Sequence, residues 1–223
     1  MKRTIHVVLA PGSTAPEAAV AALRGLSAAL VDATTGGLRL DTAVDGPLTM
    51  NATRPDGSRI VGLVSADAPS DGENTRLREV LAAAGLGSWS YDVEQDIPLD
   101  YALTWPDGEA SPGVRQVTLL ARKPDLTTEQ FMAHWHGVHG PLALEVHPLW
   151  RYDRNRIMAA STGAPAFEGI VGLHFRELED VTDVMRLYGG DKRNIRRISE
   201  DVMSFIDMST ITVTVMQETV LRR

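Results

Sequence analysis

Four letters that occur twice decide the fold: RIVGLVSAD at residues 59–67 and GIVGLHFRE at residues 169–177 share Ile-Val-Gly-Leu. Two further pairs accompany them, RTIHVVLA (3–10) with RQVTLLAR (115–122) and VEQDIPL (93–99) with VMQETVL (215–221). The members of each pair lie about half the chain apart, whereas solenoid repeats are only about 20–50 residues long. The sequence therefore contains two copies of one small domain.

Each copy shows the same order of predicted elements, βαββαβ. The first copy has strands at IHVVLA, from LRLDTAV toward Met50, at IVGLVSA and at WSYDVEQDI, with helices before Thr34 and Gly85. In the second copy a capping box of Thr127 and Gln130 starts the first helix, and Gly140-Pro141 is expected to end it. Such a unit forms an antiparallel four-stranded sheet with helices on one face, and a second copy can cover the bare face.

The predicted architecture is α+β, with two sheets face to face and helices outside. The predicted domains are residues 1–103 and 114–223. The segment TWPDGEASPG (104–113) is rich in turn residues and is expected to be the linker between them.

Composition limits the classes of function. The formal net charge is -7 with no long basic run, so neither nucleic acid nor an anionic membrane is an expected partner. The chain has no cysteine, which excludes thiolate chemistry and fits a reducing compartment. The apolar run after MKR ends too early at Pro11 for a signal peptide. A cytoplasmic protein with a small-molecule partner is predicted, and a homodimer is permitted.

Three histidines lie in FMAHWHGVHGP at residues 131–141. In an unbroken α-helix His136 and His139 are neighbours, while His134 points to the other side. A metal site would need both neighbours with Glu145 or His147, and this spacing matches no known ligand pattern, so no metal is predicted. The alternatives are a catalytic histidine, with His139 the best candidate, or a solvated helix end.

This region resembles the EthD-domain family of the dimeric α/β-barrel superfamily. The matching positions are Lys123, Pro124, Leu126, Thr127, Phe131, Trp135, Val138, His139, Gly140, Pro141, Leu142, Tyr152 and Asn155. His134 and His136 depart from the family pattern, and the first half lacks the His-Gly-Pro motif. The resemblance implies two tandem ferredoxin-like βαββαβ repeats that form a dimeric α/β-barrel within one chain.

The family's relatives carry out several reactions, so the resemblance leaves the enzyme class open between lyase, cyclase and isomerase of secondary metabolism. The expected function is cofactor-independent acid–base chemistry on a carbonyl or aromatic compound, such as cyclisation, isomerisation, dehydration or decarboxylation. The alternative is a non-catalytic accessory protein that binds a hydrophobic ligand or haem, with His139 as a haem ligand.

The predicted catalytic residues are His139 as acid or base, Tyr152 as the oxyanion partner and His136 as a neighbour that shares a proton. The predicted substrate-binding residues are Trp135, His147, Trp150 and Phe175. No cofactor is expected. The pocket should lie between sheet and helices of the second half, without an equivalent in the first.

Two histidines in strands and one basic segment are the remaining candidate functional residues. Alternation places Val171, Leu173 and Phe175 toward the helices and His174 toward the partner sheet, as a buried hydrogen-bonding residue. His6 is a weak candidate for a first-half pocket. The basic KRNIRR (192–197) is either a solvated helix face or a lid for an anionic ligand.

Overall fold

The computed structural model describes residues 2–44 and 49–223, and its elements follow the predicted repeat. The elements of the first half are β1 Lys2–Ala10, α1 Pro16–Gly25, α2 Ser27–Ala33, β2 Leu38–Ala43, β3 Arg59–Asp67, α3 Asp71–Ala83 and β4 Gly87–Leu99. The part of the expected strand toward Met50 that covers residues 45–48 lies outside the described residues.

The second half repeats this order with more helical pieces. Its elements are β5 Val114–Leu120, α4 Thr128–His134, a π-helix Trp135–His139, α5 Gly140–Val146, β6 Arg151–Ala160, β7 Gly169–Phe175, α6 Glu179–Thr182, α7 Val184–Leu187, α8 Lys192–Phe205 and β8 Thr212–Arg222. The extra residues of this half form α6, α7 and the start of α8.

The eight strands close into one antiparallel barrel in the order β1-β3-β2-β8-β5-β7-β6-β4. Each half contributes four neighbours, in the ferredoxin-like orders β4-β1-β3-β2 and β8-β5-β7-β6. The two sheets do more than face each other, because β2 pairs with β8 and β4 pairs with β6 along both edges. Among the described strands, closure leaves no sheet edge unpaired, and the fold prediction of an intrachain dimeric α/β-barrel is confirmed.

Three apolar clusters fill the part of the molecule that residues 2–44 and 49–223 form. One lies between the first-half strands and α1–α3, and a second lies between the second-half strands and their helices. The third fills one end of the barrel interior and includes Ile5, Leu63, Val117 and Ile170. Burial of these side chains against one another is the main stabilising contribution to such a fold.

The segment between the halves is more closely packed than its turn-rich sequence indicates. Trp105 is buried against Tyr101 and Trp150, and the Ser111 hydroxyl donates to Glu218. That residues 1–103 and 114–223 are separate domains stays a prediction. Within residues 2–44 and 49–223, every helix falls short of the length and apolarity that a membrane crossing requires.

Candidate active site

The helix that carries the three histidines does not end at Gly140-Pro141, and that prediction is wrong. The chain passes from α4 through the π-helix into α5, and the N–H of Gly140 donates to the carbonyl of Trp135, five residues earlier. Pro141 lies in the first turn of α5, where a proline is tolerated. A Cβ on Gly140 would come within 2.5 Å of Nη1 of Arg154, so a larger residue here would displace the end of that side chain.

The π-helix brings His134 and His139 to the same carboxylate. Nδ1 of His139 lies 2.6 Å from Oδ2 of Asp201, and Nε2 of His134 lies 2.7 Å from Oδ1. A π-turn joins residues i and i+5, so side chains five positions apart share one face. The expectation that His134 points away was wrong because it assumed α-helical geometry throughout.

Asp201 is a buried carboxylate on α8, 8% exposed in its side chain. Burial alone would raise the pKa of Asp201, but the hydrogen bonds from His139 and His134 outweigh burial and hold it below the usual value. An ionised carboxylate can only accept hydrogen bonds, so Nδ1 of His139 and Nε2 of His134 carry the protons. The ring of Phe205 packs against both imidazoles, with centroids 5.1 and 4.7 Å away.

A cavity of about 180 Å³ lies between the second-half sheet and its helices, with His139 in its wall. Nine of the fourteen lining residues are aliphatic, which makes the wall mainly apolar. The five others are Gln116, Thr118, His139, His147 and Tyr188. This combination of an apolar wall and a few polar groups is typical of small-molecule sites.

The two histidines of the wall both carry a proton on Nδ1. Nδ1 of His147 lies 2.7 Å from the carbonyl oxygen of Leu187, which can only accept, so Nδ1 carries the proton. Burial lowers the pKa of His147, although this hydrogen bond opposes the effect. In the neutral form of each ring Nε2 is an acceptor, and neither Nε2 has a hydrogen-bond partner in the described part of the chain.

The other predicted site residues do not line this cavity. Tyr152 is fully buried beside Arg154, and burial raises its pKa to about 12. Trp135 and Phe175 belong to the apolar core between sheet and helices. Trp150 packs on Tyr101, Trp105 and His174 at another site. His136 is exposed, with its ring edge against Trp135.

The remaining histidines are held in structural hydrogen bonds. Nε2 of His174 lies 2.9 Å from the carbonyl of Pro112, and the ring is buried against Tyr101, which agrees with the predicted buried role. His6 is buried between Ser90 and Asn74, 3.0 and 3.2 Å away. Within residues 2–44 and 49–223, no three His, Cys, Asp or Glu side chains form a group that could hold a metal ion.

The basic segment at 192–197 forms a paired surface. Arg193 pairs with Asp191, Arg196 with Glu200, and Arg197 with Glu145. These ion pairs favour the solvated helix face over the lid.

Asp201 was not predicted from the sequence. It lies three residues after Ile198 and four before Phe205, and both of these side chains are buried. An acidic residue on the apolar face of an amphipathic helix is a signal of a buried partner. Tyr188 and Thr118 were also missed, since a lone tyrosine and a strand threonine have no distinctive pattern.

A second polar cluster, inside the barrel, was not predicted either. Arg115 donates to Asp41 and Asp153, at 2.7 Å to each, and so joins β2 of the first half to β5 and β6. Glu218 accepts from Arg39 at 3.0 Å and lies 3.5 Å from Arg151. Burial raises the pKa of Asp41 to about 6 against the opposing effect of Arg115, and the carboxylate of Glu218 adds to the rise.

The first half has a depression of its own, contrary to the expectation that it would have none. It measures about 410 Å³ and lies between α1 and the ends of β2 and β3. Glu17, Arg24 and Arg59 give it a polar lining. It is larger than the cavity beside His139 and counts against a ligand site in the second half alone.

Residues 123–209 match the EthD domain family, while no curated protein matches the chain. Among solved structures, the fold is similar to an anthrone oxidase-like protein, with a TM-score of 0.65 and 10% identity over 99% of this chain and 93% of that one. It is also similar to a proposed monooxygenase from Fusobacterium nucleatum subsp. nucleatum, with a TM-score of 0.54 and 11% identity over 99% and 93% of the two chains.

A further similarity is to a proposed monooxygenase from Lactobacillus acidophilus, with a TM-score of 0.52 and 8% identity over 100% and 98% of the two chains. At such identities the likeness shows the fold alone. This one chain closes a dimeric α/β-barrel by itself, and within it residues 123–209 match the EthD domain family.

Proposed function

We propose that the chain is a small-molecule enzyme whose reaction is acid–base chemistry at His139, without a bound cofactor. The reaction classes are cyclisation, isomerisation, dehydration and decarboxylation of a carbonyl or aromatic compound. One observation carries the proposal: His139 is held by Asp201 at 2.6 Å, and its ring lies in the wall of a mainly apolar cavity.

The contacts of His139 suit proton transfer. Nε2 has a free lone pair and can accept a proton from a carbon next to a carbonyl group. Asp201 fixes the tautomer and stabilises the imidazolium that forms, as a buried carboxylate does for other catalytic histidines. Return of the proton from Nε2 to another atom of the substrate completes an isomerisation or an elimination.

An enolate oxygen needs hydrogen-bond donors. Tyr152 was predicted for this role, but Thr118 and Tyr188 line the cavity and Tyr152 does not. We therefore assign the oxyanion to the hydroxyls of Thr118 and Tyr188. Burial raises the pKa of Tyr188, which keeps its hydroxyl protonated and able to donate.

The volume limits the substrate. A cavity of about 180 Å³ compares with the ~150 Å³ of an apolar cavity that binds benzene in another protein. A monocyclic compound is the expected size.

The second candidate function is binding without catalysis, and the nine aliphatic wall residues favour it. Such a protein would hold an apolar ligand, with His139 and Asp201 as a structural pair. Haem does not fit this cavity, because even drug-sized ligands occupy pockets of about 300–1,000 Å³.

Hydrogen exchange tests catalysis without knowledge of the natural substrate. The protein is incubated in D₂O with a panel of small cyclic ketones and phenols, and C–H to C–D exchange is followed by NMR. Exchange should be faster with the wild type than with buffer, and His139→Gln should slow it by about 10²- to 10⁴-fold. Arg196→Ala, on the exposed face of α8, is the matched control.

Equal exchange by wild type and His139→Gln would reject the catalytic proposal. Ligand-induced stabilisation without any exchange would support the binding alternative.

A further inference from the structure

We infer that the cavity beside His139 is selective for a neutral monocyclic compound with at least two oxygen groups, one of them a hydroxyl that donates to Nε2 of His147. The inference deepens the proposed function, because it concerns the ligand of the same cavity. It does not require that the ligand be chemically transformed.

The tautomer of His147 requires a hydrogen-bond donor from the ligand. The carbonyl of Leu187 fixes the proton on Nδ1, so Nε2 must accept. Burial lowers the pKa of this ring and keeps it neutral, so Nε2 stays an acceptor near neutral pH. A ligand that fills the cavity without a donor at this point would leave a buried acceptor unpaired, which reduces affinity.

Three polar side chains of the cavity wall have no hydrogen bond in the described part of the chain. Thr118 is only 9% exposed, lines the cavity, and its hydroxyl has no partner in the described part of the chain. Gln116 and Tyr188 also line the cavity and likewise lack side-chain hydrogen bonds there. These groups can donate to a second oxygen of the ligand while the ligand's hydroxyl group donates to Nε2 of His147.

The charges around the cavity favour a neutral ligand. Among the fourteen residues of the wall none is lysine or arginine, and the ionised Asp201 lies directly behind His139. An anionic ligand would lie near the like charge of Asp201, with no lysine or arginine in the wall to compensate. A neutral ligand is therefore favoured over the anionic one that the sequence left open.

Four ring compounds of similar size separate these requirements. Phenol and resorcinol can donate from one or two hydroxyls, anisole has an oxygen but no donor, and benzoate is an anion. Their dissociation constants for the full-length protein are measured by calorimetry. We expect resorcinol to bind best, phenol about tenfold better than anisole, and benzoate worst.

Two variants locate the contacts. His147→Leu should remove the tenfold preference for phenol while anisole binding stays within about twofold. Thr118→Val keeps the side-chain shape and should weaken resorcinol more than anisole. Thr75→Val, on the exposed face of α3, is the matched control and should change none of the four constants.

The inference is overturned if anisole binds the wild type as well as phenol, if His147→Leu keeps the preference, if benzoate binds best, or if none of the four compounds binds. A correct order of affinities with no hydrogen exchange at His139 would instead count against the proposed enzyme alone. Because the wild-type comparison needs no variant, it remains decisive if His147→Leu fails to fold.

Discussion

The two Ile-Val-Gly-Leu strands occupy the same place in the barrel but do not face the same way. β3 lies between β1 and β2, as β7 lies between β5 and β6. In β3 the pairing with β1 shifts between Val8 and Leu9, which makes Val61 the extra, bulged residue of β3. An extra residue in one strand reverses the alternation beyond it.

The reversal changes what each copy presents to the interior. Leu63 belongs to the apolar cluster inside the barrel, whereas Leu173 faces the helices and borders the cavity. A Cβ on Gly62 would meet a methyl of Leu23 on α1, and one on Gly172 would meet the guanidinium of Arg115 inside the barrel. One repeated sequence therefore supports an aliphatic core in the first half and a buried ion pair with an adjacent cavity in the second.

The helices of the halves differ in the same sense. α3 buries Leu77 and Leu81 in an aliphatic cluster, while α8 buries Ile198 and Phe205 and places Asp201 between them. Topology alone thus leaves the site undetermined. The side chains between helix and sheet decide which half has a charge that orients a histidine beside a cavity.

The largest expected difference between the halves concerns the arginines at matching positions of β1 and β5. Arg115→Met removes the cation from the buried carboxylates Asp41 and Asp153, and breaking such a buried pair costs about 3–5 kcal/mol. Arg3→Met leaves Asp67, which is 29% exposed and can be solvated, so a loss of about 1.5 kcal/mol is expected. Urea denaturation of both variants measures the difference. Equal losses would remove the asymmetry.

The next effect is the pH dependence that His6 gives to the first half. Burial lowers the pKa of His6 to about 4, below the about 6.5 of the unfolded chain. Between these values the unfolded state binds the additional proton, so stability falls by about 3 kcal/mol as pH decreases from about 6.5 to about 4. Arg78 and Asp92 are the charged groups that act on this ring.

Asp41 acts in the opposite direction in the same window, since its folded pKa is raised and its contribution falls as pH increases. The effect of His6 is therefore measured as the difference between wild type and His6→Gln in denaturation at several pH values. A difference that stays constant between pH 4 and pH 7 would contradict the buried neutral imidazole.

The smallest effect compares the two leucines of the repeated motif. Leu63→Ala opens a void in the closed interior and should cost about 3 kcal/mol. Leu173→Ala enlarges an existing cavity, should cost about 1 kcal/mol less, and should strengthen binding of a ring ligand larger than phenol. Denaturation and calorimetry on both variants check this. Improved ligand binding in Leu63→Ala instead would reverse the assignment.

Much of the fold could be predicted from patterns in the amino-acid sequence. The repeated strands gave the element order, and the capping box of Thr127 and Gln130 marked the start of α4 correctly. The bulge at Val61 had no signal, because any residue can occupy the extra position. The prediction for Gly140-Pro141 failed because the helix continues through a π-turn. Pro141 then lies in the first turn of α5, where a proline is tolerated.

The candidate site was predictable from the sequence only in part. The motif around His139 directed attention to one residue of the cavity wall, and His147 is a second. Asp201 was missed because it is distant in sequence, and Tyr152 was chosen from a motif position that the structure places in the core. A motif of this kind indicates which residues matter to a family, while the partners of a histidine depend on three-dimensional packing.

We propose that the ligand site lies beside His139 in the second half, although the first half has the larger depression. ¹⁵N NMR of the histidine side chains during a phenol titration tests it most directly. We expect the Nε2 signals of His139 and His147 to shift together, while those of His6 and His174 do not move. Binding of phenol with no change at His139 and His147, or with changes confined to His6, would contradict it.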